Sequence, residues 1–112
     1  MNIERGDIFL ANLDPTQGSE IQKTRPVIVI TNDLANLHAR VVTVVPLTSQ
    51  KLDKVYRHEL FIGKPKGMSK ESKALVDQIR AIDKSRLKQK LSSLSEKQLE
   101  DLNERIKLHL GM

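Results

Sequence analysis

Pro26-Val27-Ile28-Val29-Ile30 and Val41-Val42-Thr43-Val44-Val45 are two short runs dominated by β-branched residues. A strand with one wet face alternates apolar and polar residues, so continuous runs of this kind predict strands buried on both faces. Thr31-Asn32-Asp33 ends the first run, and Pro46 closes the second because proline cannot donate to a central ladder. Upstream, Asp7–Leu13 carries β formers and stops at Asp14-Pro15-Thr16-Gln17-Gly18-Ser19, a cluster of turn residues. Downstream, His58–Ile62 is a shorter strand ended by Gly63-Lys64-Pro65-Lys66-Gly67, and Lys73–Arg80 alternates well enough for one more, about five in all. At the C-terminus the period changes. Leu99, Leu102, Ile106 and Leu110 form one stripe of an amphipathic helix, with Ser95 and Gln98 as a capping box and Gly111 as its stop. Leu87, Leu91 and Leu94 allow a short helical turn between Asp83 and Leu94. The expected fold is mainly β with a C-terminal helix: a small, strongly bent, barrel-like sheet with the helix packed on one side.

Residues 1–112 make one domain at usual domain sizes. A content of 38% apolar and 29% charged residues is an ordinary globular balance, so a core forms. Its aromatics are only Phe9, Tyr56 and Phe61, so the core is built from Ile, Val and Leu, and base stacking is poorly supplied. The absence of cysteine removes disulfides, thiolate nucleophiles and Cys-based metal sites, and fits a reducing cytoplasm. Met1–Asp7 lacks the basic and apolar regions of a signal peptide, and no run reaches the ~18 apolar residues of a membrane span. The expectation is a soluble protein that is not exported by that route.

Charge is unevenly placed. Residues 1–62 hold seven Lys/Arg against seven Asp/Glu, residues 63–90 nine against three, and residues 91–112 three against four. A basic excess packed into one quarter of the chain suits a polyanionic partner, or simply a solvated lysine-rich face.

The chain has no Gly-rich phosphate loop, no His-Glu-x-x-His and no Gly-x-Ser-x-Gly. His38, His58 and His109 lie far apart without metal-ligand spacing, so neither a metal nor another cofactor is expected. What stands out is a polar loop from Thr16 to Pro26 that delivers Arg25 to the base of a core strand. A guanidinium held there offers two parallel hydrogen bonds to a phosphate, although an ordinary salt bridge would use the same residue. Thr48-Ser49-Gln50 follows the other core strand, so both strands end near one site, where hydroxyls serve either phosphate oxygens or turn geometry.

Arg5-Gly6-Asp7-Ile8-Phe9, Leu13–Glu20 and Lys23-Thr24-Arg25-Pro26-Val27-Ile28-Val29 closely resemble the MazF/PemK family of toxin endoribonucleases. Val44–Ser49 looks like that family's second motif and Ser72–Leu87 like its third, in the right order over most of the chain. The resemblance implies an SH3-like small β-barrel, the MazF/PemK/CcdB-like toxin fold, forming a homodimer. It also implies metal-independent cleavage of single-stranded mRNA at short sequences, inhibition of translation and growth, and neutralisation by a cognate antitoxin. Carried over by motif, Arg25 and Thr48 are the catalytic candidates, and Gln17, Ser19, Glu20, Lys23, Ser49 and Gln78 the substrate-binding candidates. Some relatives use an Asp/Arg/His set, and no histidine stands in the first loop here, which leaves the general base open.

These residue types fit metal-free cleavage. The ribose 2'-OH attacks its own phosphate, so the nucleophile belongs to the substrate, and the protein orients it and stabilises charge. Two rival readings share the fold or the charge. One is a toxin that poisons DNA gyrase, but those relatives end in Trp-Gly-aliphatic, whereas this chain ends His109-Leu110-Gly111-Met112. The other is a non-catalytic nucleic-acid-binding barrel, with Arg25 as one more phosphate contact. The expected partners are single-stranded mRNA, a second copy of the chain and an antitoxin with an acidic, disordered segment that folds on binding, with no membrane.

Overall fold

The computed structural model describes all 112 residues. Its elements are β1 (Asp7–Asn12), β2 (Thr24–Val29), α1 (Asp33–His38), β3 (Val41–Thr48), β4 (Glu59–Gly63), β5 (Ser72–Leu75), β6 (Arg80–Asp83), β7 (Leu87–Ser93) and α2 (Glu96–Leu110). All pairings are antiparallel, in the order β4-β5-β3-β2-β1-β7, with β6 also on β3.

The two runs that announced the core do form its centre, and each is buried on both faces. Phe9, Ala11, Val27, Val29, Val42, Val44, Ile82 and Leu87 pack on one face of the sheet. Ile8, Ile28, Val45, Leu47, Ile62, Ala74 and Val76 pack on the other, beneath Leu102. Period-two alternation thus separates two apolar layers rather than core from solvent. Leu99 and Ile106 join Leu102 against the second layer, while Leu110 reaches past the sheet into solvent. The cap reads as expected: Ser95 Oγ accepts from Gln98 N–H at 3.1 Å, Gln98 Oε1 accepts from Ser95 N–H at 3.1 Å, and Gly111 ends the helix at φ +74°.

Three expectations are corrected. β3 does not stop at Pro46 but runs on to Thr48, because Pro46 stands where β3 changes neighbour: Val41–Val44 pair with β6, and Leu47 and Thr48 with β5. No ladder bond is required of residue 46 on that side, so proline is tolerated. For the same reason Lys73–Arg80 is not one strand. β5 and β6 serve opposite ends of β3 and are joined by a 3-10 turn, Val76–Gln78, which gives six strands in place of five, and β7 is the seventh. The helical turn expected between Asp83 and Leu94 is a single 3-10 turn, Lys84–Arg86, after which Leu87–Ser93 is β7. The register of β7 on β1 skips Lys88 and Leu91, and these two bulges put Leu87 and Leu91 against different layers and increase the twist of the sheet edge. The first run ends before Thr31-Asn32-Asp33 as expected, with β2 stopping at Val29, and Asn32 there caps α1, its Oδ1 accepting from Ala35 N–H at 2.9 Å. No helix is long and apolar enough to cross a membrane.

Candidate active site

Antiparallel pairing of β2 and β3 brings the start of one beside the end of the other. Arg25 and Thr48 therefore line the same cavity, of about 370 Å³, with Ser49, Ser69, Lys70, Glu71 and Ser72 around them. Arg25 is half-buried opposite Ala11 of β1, and its Nε donates to Gln22 O at 2.8 Å. That bond orients the guanidinium and leaves both terminal nitrogens without a partner in the chain. Arg25 takes part in no salt bridge, so a charged fork is left facing the cavity. Thr48 is almost fully buried, and its Oγ1 accepts from Gln50 N–H at 3.1 Å, which leaves the hydroxyl proton to donate. Ser72, buried at the head of β5, has a hydroxyl with no hydrogen-bond partner, an uncommon condition for a buried polar group.

The other candidates lie elsewhere. Ser19, Glu20 and Gln78 line a second cavity of about 350 Å³ with Asp77, Ile79 and Arg80, and Gln17 and Lys23 line neither. Glu20 Oε1 accepts from Gln17 N–H at 2.7 Å, so these two residues close a turn inside the loop. Lys23 holds the loop base through its backbone, at φ +72°, with its N–H on Asp14 Oδ1 at 3.0 Å and its carbonyl accepting from Leu13 N–H at 3.1 Å. Gln78 Oε1 accepts from Ile21 N–H at 2.6 Å and tethers the loop to the β5–β6 turn. The loop is further clamped by Arg80, which donates to Leu13 O, and Arg86, which donates to Asn12 O and Asp14 O.

Much of the basic excess of residues 63–90 is structural. Arg80 and Arg86 hold the first loop, Lys84 donates to Asn36 O, and Lys90 pairs with Asp7 at 3.2 Å. Lys73 is buried against Glu59 at 2.8 Å. Lys64, Lys66, Lys70 and Lys88 are left exposed for a polyanion, and of these Lys70 lines the Arg25 cavity. No three His, Asp or Glu side chains converge as a metal-holding group.

Burial raises the Glu59 carboxyl, but hydrogen bonds from Lys73 and the Tyr56 N–H, and the charges of Lys73 and His58, outweigh it and hold the group below the ordinary value of 4.5. Ser69, Lys70 and Glu71 went unnoticed in the sequence because they sit in a turn-rich segment whose spacing carries no motif, and Ser72, the first residue of the third motif, was not singled out there as a site residue. The unpartnered hydroxyl of Ser72 is visible only in three dimensions.

Residues 4–110 match the family model described as PemK-like, MazF-like toxin of type II toxin-antitoxin system. The chain belongs to this toxin family. An endoribonuclease MazF of Staphylococcus saprophyticus is 39% identical over 111 residues, covering 98% of this chain and 92% of that protein. Among solved structures, MazF of Deinococcus radiodurans superposes with a TM-score of 0.85 at 24% identity, covering 100% of this chain and 99% of that one. A MazE-MazF structure from the same organism gives a TM-score of 0.76 at 25% identity, covering 100% and 98%. The seven-stranded sheet with its terminal helix is therefore the fold of the MazF toxins. Membership of the family does not favour the gyrase-poison reading or the purely binding barrel.

Proposed function

We propose that this chain is a cytoplasmic, metal-independent endoribonuclease toxin that cleaves single-stranded mRNA by attack of a ribose 2'-OH on the adjacent phosphate. An endoribonuclease toxin is what membership of the MazF family makes of the chain. The observation that carries the mechanism is the Arg25 guanidinium, fixed through Nε and unpartnered at its other nitrogens, on the wall it shares with the Thr48 and Ser72 hydroxyls.

In this reaction the 2'-oxygen bonds to phosphorus, the bond from phosphorus to the 5'-oxygen breaks, and the products are a 2',3'-cyclic phosphate and a 5'-hydroxyl. Charge builds on the non-bridging oxygens as the fifth bond forms. Arg25 opposes it with two donors, and the hydroxyls of Thr48 and Ser72 supply further donors from a wall already fixed by the sheet. Glu71 is the one carboxylate lining the cavity, and in this reading it accepts the 2'-OH proton. The leaving 5'-oxygen takes a proton from solvent, since a guanidinium stays protonated. Ser19, Glu20 and Gln78, in the neighbouring cavity, bind bases of the unpaired strand through hydrogen bonds, and Lys70 with Ser49 holds the flanking backbone. Two copies form the working dimer, and an acidic antitoxin segment folding over the Arg25 and Lys70 surface blocks RNA entry.

The test is cleavage of a long single-stranded RNA by purified protein in EDTA, with a 2'-deoxy substitution at the mapped site and an Arg25→Ala control. Cleavage that persists in EDTA, stops at the 2'-deoxy position and collapses in the variant supports the mechanism. Intact RNA under binding conditions overturns it.

A further inference from the structure

We propose that the stacked rings of Tyr56 and His58 form a nucleobase-binding platform that holds one unpaired base of the RNA beside the Arg25 cavity. This rests on the endoribonuclease reading and adds to it a binding site outside both cavities. The two ring centroids lie 5.6 Å apart with planes 10° from parallel. Tyr56 is 47% exposed and the His58 side chain 42%, so the stacked pair is open to solvent over part of its surface, with the Lys54 and Lys73 ammonium groups over the Tyr56 ring. The tally of three aromatics made stacking look poorly supplied, but a histidine ring beside a tyrosine supplies a surface of the required shape.

The segment from Lys51 to His58 is held from below by a buried charge. All three donors of the Lys73 ammonium are used: Lys51 O and Lys54 O at 2.9 Å each, and Glu59 Oε1 at 2.8 Å. The same Glu59 oxygen accepts from the Tyr56 N–H at 3.0 Å. The carbonyls of residues 51 and 54 and the amide of residue 56 are thereby fixed around one buried ion pair. Burying such a pair is costly relative to apolar packing, so this shape is maintained against a cheaper alternative. A base meeting rings already in place loses less freedom on binding than one that must order a loose loop.

The platform is tied to both cavities. Lys73 stands opposite Thr48 in the β3–β5 register, and His58 Nε2 lies 3.7 Å from Asp77 Oδ2, a residue of the Ser19–Gln78 cavity. In this proposal an RNA that spans the two cavities crosses this surface. The Lys54 ammonium sits 4.8 Å from the Tyr56 ring centroid in the free protein. The exposed Lys54 moves aside as the arriving base brings a phosphate for it to pair with, whereas the buried Lys73 ammonium, 5.9 Å from the same centroid, stays in place. Stacking tolerates any base, so the site adds affinity at one nucleotide without reading its identity.

The experiment uses the intact protein and an RNA made uncleavable by 2'-O-methylation at the mapped scissile position, with 2-aminopurine moved through the flanking positions. At one position the wild-type protein quenches the probe, Tyr56→Phe retains the quenching and Tyr56→Ala loses it. Affinity for the intact RNA falls about 5- to 100-fold in Tyr56→Ala, and an abasic site at the same position removes that difference. Equal quenching by wild type and Tyr56→Ala, or an equal loss of affinity on intact and abasic RNA, overturns the platform. Wild-type protein that cleaves RNA but shows neither effect defeats the platform alone, whereas protein that neither binds nor cleaves RNA defeats the endoribonuclease reading as well.

Discussion

Thr48 and Lys73 stand directly opposite one another across β3 and β5. One offers its hydroxyl to the cavity, and the other buries its ammonium and takes hold of the segment that leads from Thr48 to β4. The active-site wall and the loop beside it thus share a support, and a change in one buried charge reaches both.

Lys73→Met tests that support. Removing the ammonium leaves Glu59 buried without its partner and frees the carbonyls of Lys51 and Lys54. Breaking one side of a buried pair costs ~3–5 kcal/mol, so the urea midpoint falls sharply. Lys73→Met with Glu59→Met recovers most of that stability because no charge is left unpaired. The double variant still lacks the anchor of the 51–58 loop, so its RNA affinity stays low while its stability returns. Recovery of both together would mean that the pair acts on stability alone.

The same pair sets an acid limb. The folded pKa of Glu59 lies below its unfolded value of about 4.5. Between the two values the unfolded state binds more protons, so the stabilisation is complete above about pH 4.5 and is lost as pH falls through the folded pKa. Asp83, held below its usual range by hydrogen bonds from Ser85, contributes in the same direction but is exposed. Urea unfolding from pH 7 to pH 3 gives a falling midpoint over the acid range, and Glu59→Gln flattens that fall more than Asp83→Asn does.

How much of this was legible in the sequence depends on which physical signal each residue carries. β2 and β3 announced themselves because unbroken β-branched residues have few other uses. α2 was plain from Leu99, Leu102, Ile106 and its capping box. α1 was not, since its six residues are too few for an apolar period to repeat. Lys73 looked like the wet position of an alternating strand, yet Ser72–Leu75 is buried throughout because the 51–58 loop folds over it. Arg25 and Thr48 were found together because strand ends meet in a predictable way, whereas Lys70, Glu71 and Ser72 join them only through the path of the segment before β5.

Removal of the cavity donors gives graded losses. Arg25→Ala removes two charged donors and lowers kcat by at least ~100- to 1,000-fold, the loss found when one oxyanion donor is deleted. Arg25→Lys keeps the charge but loses the fork, and recovers only a part. Thr48→Val and Ser72→Ala each remove one neutral hydroxyl, so each lowers kcat by less than Arg25→Ala. Single-turnover cleavage of one RNA by all four variants gives the order, and an unaffected Arg25→Lys would show that charge alone suffices.

In the proposed mechanism two carboxylates are candidates for the base that takes the 2'-OH proton. Glu71 lines the Arg25 cavity, whereas Glu20 lines the neighbouring one and spends an oxygen on Gln17 N–H. Glu71→Gln removes the base and lowers kcat by ~100-fold or more, flattening the acid side of the pH–rate profile. Glu20→Gln keeps a hydrogen-bonding group in the loop and changes KM more than kcat. If Glu20→Gln instead flattens the profile, the base comes from the loop and Glu71 serves binding.

Gln78 has two uses available on one amide. Its oxygen is committed to Ile21 N–H, and its nitrogen makes no hydrogen bond within the chain, so it can tether the first loop and still meet a base. Gln78→Ala breaks the tether, at ~1 kcal/mol for a hydrogen bond of this kind, and leaves the core untouched. The Ile21 amide then exchanges ~5-fold faster with solvent, while the amide of Ile28, deep in β2, keeps its protection. Gln78→Glu separates the two roles, since its carboxylate can still accept from Ile21 but has no N–H to give. Slow Ile21 exchange together with a KM raised in Gln78→Glu, relative to wild type, by the same factor at low and high salt assigns the NH2 group to the RNA, a rise that salt removes reflects only the added charge, and an unchanged KM confines Gln78 to holding the loop.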